Sequence, residues 1–114
     1  MITDKMKELL INYAKTLITT GSAKVGLGGN STSPAAIDID VDTGAGVSLT
    51  AETTTTNVLQ LFVEVLGTNI QGEVIREMGV FDTNGNLLTR INFDGVGPFS
   101  TTERLQLYLT LEVE

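Results

Sequence analysis

The stretch Glu73-Val-Ile-Arg-Glu-Met-Gly-Val-Phe-Asp-Thr-Asn-Gly-Asn-Leu-Leu-Thr-Arg-Ile-Asn-Phe93 decides the fold class of this 114-residue chain. Two runs with strand character, 73–82 and 86–93, are joined through Asp82-Thr83-Asn84-Gly85. Asn84 and Gly85 tolerate positive φ, and the Asp82 side chain can bond the turn backbone, so the two runs read as an antiparallel hairpin. Gly79 inside the first run marks a bulge or a close backbone approach. Phe81 and Phe93 are expected to meet across the hairpin. Glu77 and Arg90 are expected to form a cross-strand ion pair, worth under ~1 kcal/mol if exposed.

Working outward, the last run, 103–114, alternates most cleanly. Leu105, Leu107, Leu109, Leu111 and Val113 face in, while Arg104, Gln106, Tyr108, Thr110, Glu112 and Glu114 face out. A slip of one residue would expose all five apolar side chains, so its register is strongly specified. Upstream, 57–66 puts Leu59, Leu61, Val63 and Val65 on one face, and Phe62 and Leu66 on the other point to cover on both sides. Residues 47–56 form a Thr-rich extended stretch, and 23–27 a short strand. In 36–41, Ile37, Ile39 and Val41 alternate with Asp38, Asp40 and Asp42, which predicts a strand whose acidic outer face discourages edge pairing. Gly-containing breaks at 28–34, 43–46, 67–72 and 95–98 separate these runs. The pattern predicts a mainly β chain, an antiparallel β-sandwich, jelly-roll-like or an open barrel, over 23–114. With no linker and no internal repeat, residues 1–114 read as one domain.

The N-terminus carries the one helical period. Over 3–20, Met6, Leu9, Leu10, Tyr13, Leu17 and Ile18 recur at three- and four-residue spacing, with Lys5, Lys7, Glu8, Asn12 and Lys15 on the other side. Thr3 or Asp4 caps its start and Gly21 closes it. This amphipathic α-helix needs an apolar surface, either the chain's own sheet or a neighbouring subunit. Met6, Leu10, Tyr13 and Leu17 are its candidate interface.

Composition narrows the function. The chain has no His, Cys or Trp, 17 Thr and 12 Gly, and a net charge of −7. Without His there is no Ser- or Cys-His nucleophile arrangement, and without His or Cys the usual zinc site is excluded. No enzyme activity and no cofactor is expected. Asp38-x-Asp40-x-Asp42 is like the start of a calcium loop, but Thr43 stands at the sixth position and Leu49 at the twelfth, where Gly and a bidentate Glu are needed. Those three aspartates are weak metal candidates. Gly26-Leu27-Gly28-Gly29-Asn30-Ser31 lacks the ending of a phosphate cradle and reads as a loop. Asn30-Ser31-Thr32 is formally a glycosylation sequon. The first 24 residues hold four Lys against two acids, a net +2, and the remainder three Arg against twelve acids, a net −9. Nucleic acid is therefore not an expected partner of the body. No apolar run is long enough to span a bilayer and no signal peptide is evident, so no membrane partner is expected and the chain reads as a product released into the cytoplasm where it is synthesised.

The segment 73–93 resembles a signature of small virion proteins of tailed phages and of related tail-fibre modules. There, a strand Ile-x-Glu-x-Gly-Leu-Phe enters a tight turn and returns as Leu-Leu-x-Arg-x-x-Phe. Ile75, Glu77, Gly79, Phe81, Gly85, Leu87, Leu88, Arg90 and Phe93 occupy those places. The N-terminal helix, the Gly-rich stretch with Pro34 and the closing alternating strand agree more loosely. The resemblance implies a structural protein located in the virion, in tail, fibre or baseplate, assembling with copies of itself and with other virion proteins. A capsid decoration or turret protein is the alternative of the same class. A small carbohydrate- or calcium-binding β module, with a host-surface glycan as partner, is the alternative of another class.

Overall fold

Two separate antiparallel sheets organise the computed structural model, which describes residues 1–29 and 33–114. The sequon Asn30-Ser31-Thr32 and the end of the Gly26–Ser31 stretch lie outside the described residues. Helix α1 (Asp4–Thr19) leads into β1 (Ser22–Gly26), followed by β2 (Ser48–Thr55), β3 (Val58–Leu66), β4 (Ile75–Phe81), β5 (Leu87–Val96) and β6 (Arg104–Glu112). One sheet has the order β1-β4-β5 and the other β2-β3-β6, with every pairing antiparallel. The sheets do not close into a barrel; with the one N-terminal helix they make a mainly β sandwich.

The predicted hairpin is β4-β5. The Asp82 carboxylate accepts from the main-chain N–H groups of Asn84 and Asn86, both at 2.9 Å, and Gly85 takes φ +81°. The register pairs Met78 with Ile91, Gly79 with Arg90 and Glu77 with Asn92. Glu77 is thus not opposite Arg90, a correction to the expected pair. Phe81 and Phe93 do not meet either. Phe93 packs on the core with Ile91, whereas Phe81 lies by Gly79 on the other face of the sheet, with Leu87 as its register partner.

Leu59, Leu61, Val63 and Val65 of β3 form the floor of the core against Val25, Ile75, Met78 and Val80 of the facing sheet. Burying each such side chain contributes about 1.5–3 kcal/mol. Helix α1 lies on β2 and β3 and adds Ile11 and Ile18, fully or nearly buried. Thr3 caps it, accepting the Met6 N–H at 3.3 Å. The core-facing stripe is therefore Ile11, Ala14 and Ile18; of the stripe that the spacing picks out, Ile18 is buried and Leu17 half-buried, while Met6, Leu9, Leu10 and Tyr13 stay outside. The buried and the exposed stripe lie roughly 120° apart around the helix, so only one of them can meet the sheet.

Residues 36–41 are not a strand. Only Asp42 makes a β-bridge, to Gly26, and of the alternating apolar set only Ile39 is buried, Ile37 being 84% exposed. This segment runs as a strap across the outer face of β1-β4. In β6 the predicted alternation holds, but its apolar face opens progressively: Leu105 is buried and Leu111 is 42% exposed, because the sandwich is unsealed where β6 faces β5.

Candidate functional site

Of the signature residues, Glu77, Gly79, Phe81 and Arg90 gather on the outer face of β4-β5, beneath the strap, whereas Ile75 and Phe93 pack in the core and Gly85 makes the turn. Glu77 is fully buried there. Its Oε1 accepts the Val41 main-chain N–H at 2.9 Å, and Oε2 has no hydrogen-bond partner among the described residues. Gly26 makes room for this carboxylate, since a Cβ at that position would stand 2.5 Å from Oε1. Two residues along β4, a Cβ on Gly79 would come within 2.9 Å of Ile39 Cγ2 and 3.1 Å of the Phe81 ring. Gly79 therefore answers to close approach: its missing side chain is the slot that seats Ile39.

Charge closes the strap at its sides. Arg90, with 8% of its side chain exposed, pairs through Nη2 with Asp40 at 3.1 Å and donates to Asn92 Oδ1 at 3.3 Å. Lys24 on β1 approaches Asp38 at 3.2 Å and Asp42 at 3.8 Å, while its Nζ lies 4.6 Å from the centre of the Phe81 ring. The three candidate metal ligands are thus divided between two cations of the chain itself, Asp38 and Asp42 on Lys24 and Asp40 on Arg90. Among the described residues no cluster of three or more acidic side chains is placed to hold a metal ion. The chemistry of this face is that of a clamp: a buried carboxylate and two cations tie a loop to a sheet.

The second grouping is apolar and open. Met6, Leu9, Leu10 and Tyr13 of α1 are 49, 56, 41 and 65% exposed. Leu17, one turn beyond Tyr13, is half-buried and lines a cleft of about 230 Å³ with Leu88 of β5 and Leu109 and Leu111 of β6. A second cleft, of about 160 Å³, follows the same seam between Phe93, Leu107 and Tyr108. The candidate interface residues Met6, Leu10, Tyr13 and Leu17 are therefore together on one face, and that face runs into the unsealed edge of the sandwich.

Three contributors escaped the sequence reading. Ile11 and Ala14 stand at helical spacing with Ile18, a signal masked by the stronger Leu-rich stripe beside it. Lys24 gave no signal, because its partners lie fourteen and eighteen residues away in a segment that reads as a strand. No described helix is long and apolar enough to cross a membrane. In comparisons with known proteins, no family model, no curated protein and no solved structure matches the chain.

Proposed function

We propose that this chain is a non-enzymatic structural component of a tailed virus particle, in its tail, fibre or baseplate, and that it assembles with copies of itself. The observation that carries the reading is the solvent face of α1. After Ile11 and Ile18 have satisfied the core, Met6, Leu9, Leu10 and Tyr13 remain exposed on one side of the helix. A contiguous apolar face of this kind marks an association surface. The virion part of the reading rests on the hairpin resemblance, whose Glu77, Gly79 and Arg90 each have a specific job in holding the strap. A chain without His or Cys, whose Asp38, Asp40 and Asp42 are tied to its own Lys24 and Arg90, fits a building block.

The test is light scattering of the purified chain over a concentration series, joined to antibody labelling of particles. A discrete oligomer, with label on tails, is the expected result. A persistent monomer that binds no particle fraction overturns the reading, and label on heads replaces it with capsid decoration.

A further inference from the structure

We infer that two copies of the chain join edge to edge through β6, antiparallel across a twofold axis at Tyr108, so that their β2-β3-β6 sheets become one six-stranded sheet. This rests on the self-assembly part of the proposed function and adds to the α1 face a second surface, whose partner is a second copy.

The sandwich has four sheet edges, and three carry some protection. The strap covers β1, with Leu27 N–H donating to Val41 O at 2.9 Å and Thr43 N–H to Val25 O at 3.2 Å. β2 breaks register between Thr53 and Thr55. β5 looks across a cleft at the turn containing Ser33, Pro34 and Ala36. Among the described residues β6 has β3 as its only neighbour; it pairs with β3 without a shift over nine residues, and contains neither Pro nor Lys. Such a long plain edge is a template for another strand.

Backbone direction restricts which register a second β6 can take. Val113 N–H donates to Asn57 O at 2.9 Å, and Glu103 O accepts from Gly67 N–H at 2.8 Å. Both bonds continue the β3-β6 register, so the odd residues of β6 turn their main-chain groups toward β3. By alternation, Arg104, Gln106, Tyr108, Thr110 and Glu112 present their N–H and C=O groups to the open edge. Pairing about Tyr108 sets these five against one another: Arg104 against Glu112, Gln106 against Thr110, and Tyr108 against itself. Every outward group then meets a partner, and both ends of the strand carry opposite charges in contact. Sliding by two residues, to centre on Leu107, sets Arg104 against Thr110 and loses both charge pairs.

Side chains agree on both faces. Arg104 keeps 60% of its side chain exposed despite a 3.7 Å approach to Glu64, and Glu112 has no ion pair among the described residues. Tyr108, 65% exposed, tilts on Phe62 with ring centres 4.8 Å apart, and the twofold continues this pair into the second copy. On the inner face the half-open Leu111 and Leu109 come beside Leu105 and Leu107 of the second copy, along the flank where the two apolar clefts open. A symmetric contact of this kind closes on itself as a dimer.

Charge exchange tests it. Arg104→Glu or Glu112→Arg alone sets like charges face to face at both ends, and the dimer dissociation constant should rise roughly ten-fold or more; the double variant should return to within about three-fold of the starting value. The natural chain has no Cys, so Tyr108→Cys should give a covalent dimer on oxidation or with a short bis-maleimide, whereas Thr50→Cys on β2 should not. Circular dichroism checks that each variant folds. An oligomer that ignores the charge changes and gives no Tyr108→Cys cross-link overturns this inference while leaving self-assembly intact. A chain that stays monomeric overturns both.

Discussion

The buried carboxylate of Glu77 accepts the main-chain N–H of Val41 at 2.9 Å, joining points 36 residues apart. This bond binds the strap to the sheet from beneath, alongside one β-bridge, the ion pairs of Lys24 and Arg90, and a single deeply buried side chain, Ile39. Glu77→Ala would leave the Val41 N–H without its acceptor and open a cavity, and should destabilise the fold by about 2–3 kcal/mol. Glu77→Gln keeps an acceptor in place and should cost less. Chemical denaturation measures the difference, and hydrogen exchange at Val41 should quicken in the Ala variant ahead of exchange in β3.

Gly79→Ala should destabilise by about 1–3 kcal/mol, since its methyl group would enter the space held by Ile39, Leu87 and Phe81. If the clash with Ile39 is the cause, Ile39→Ala should relieve part of it. A double-mutant cycle should then depart from additivity by more than about 0.5 kcal/mol.

The two stripes of α1 should separate stability from association. Ile11→Ala removes a fully buried side chain and should cost about 2–5 kcal/mol in unfolding free energy. Leu9→Ser on the exposed stripe should change stability by under about 1 kcal/mol. Its effect should appear instead in light scattering, as weaker self-association.

The β4-β5 turn should weaken in acid. The Asn86 main-chain N–H, then the Asn86 side chain and the Asn84 and Gly85 main-chain groups, hold the Asp82 carboxyl below the usual aspartate range. A depressed folded value means the carboxylate supports the turn fully above the unfolded pKa, about 3.9, and loses that support as pH falls through the folded value. Glu103, lowered by the Ser100 main-chain N–H, acts in the same direction. Asp82→Asn should flatten the acid limb of the stability curve below about pH 4, as read by thermal unfolding across pH.

Local chemistry made much of the fold legible. Asn84-Gly85 after Asp82 specifies the turn, the period of two specifies β3 and β6, and the period near 3.6 specifies α1, because each depends on residues within a few positions of one another. The candidate site was legible in part. Glu77, Gly79 and Arg90 stand out in the hairpin, but their partners Val41, Ile39 and Asp40 lie 36, 40 and 50 residues away in sequence, and no spacing rule connects them.

By itself the sequence determined that the chain is mainly β with one helix, where its hairpin turns, and that no His- or Cys-based site is present. Only the tertiary structure decided what each periodic pattern meets. The alternation in 36–41 fits a strand, but a strand needs a neighbour's hydrogen-bonding edge along its length. This segment instead found a groove with a glycine slot for Ile39 and a buried carboxylate for the Val41 N–H. The helix likewise carries two apolar stripes roughly 120° apart, and a sheet can cover one of them. Which stripe went inward, and which remained for a partner, was settled by how the helix packs on β2 and β3.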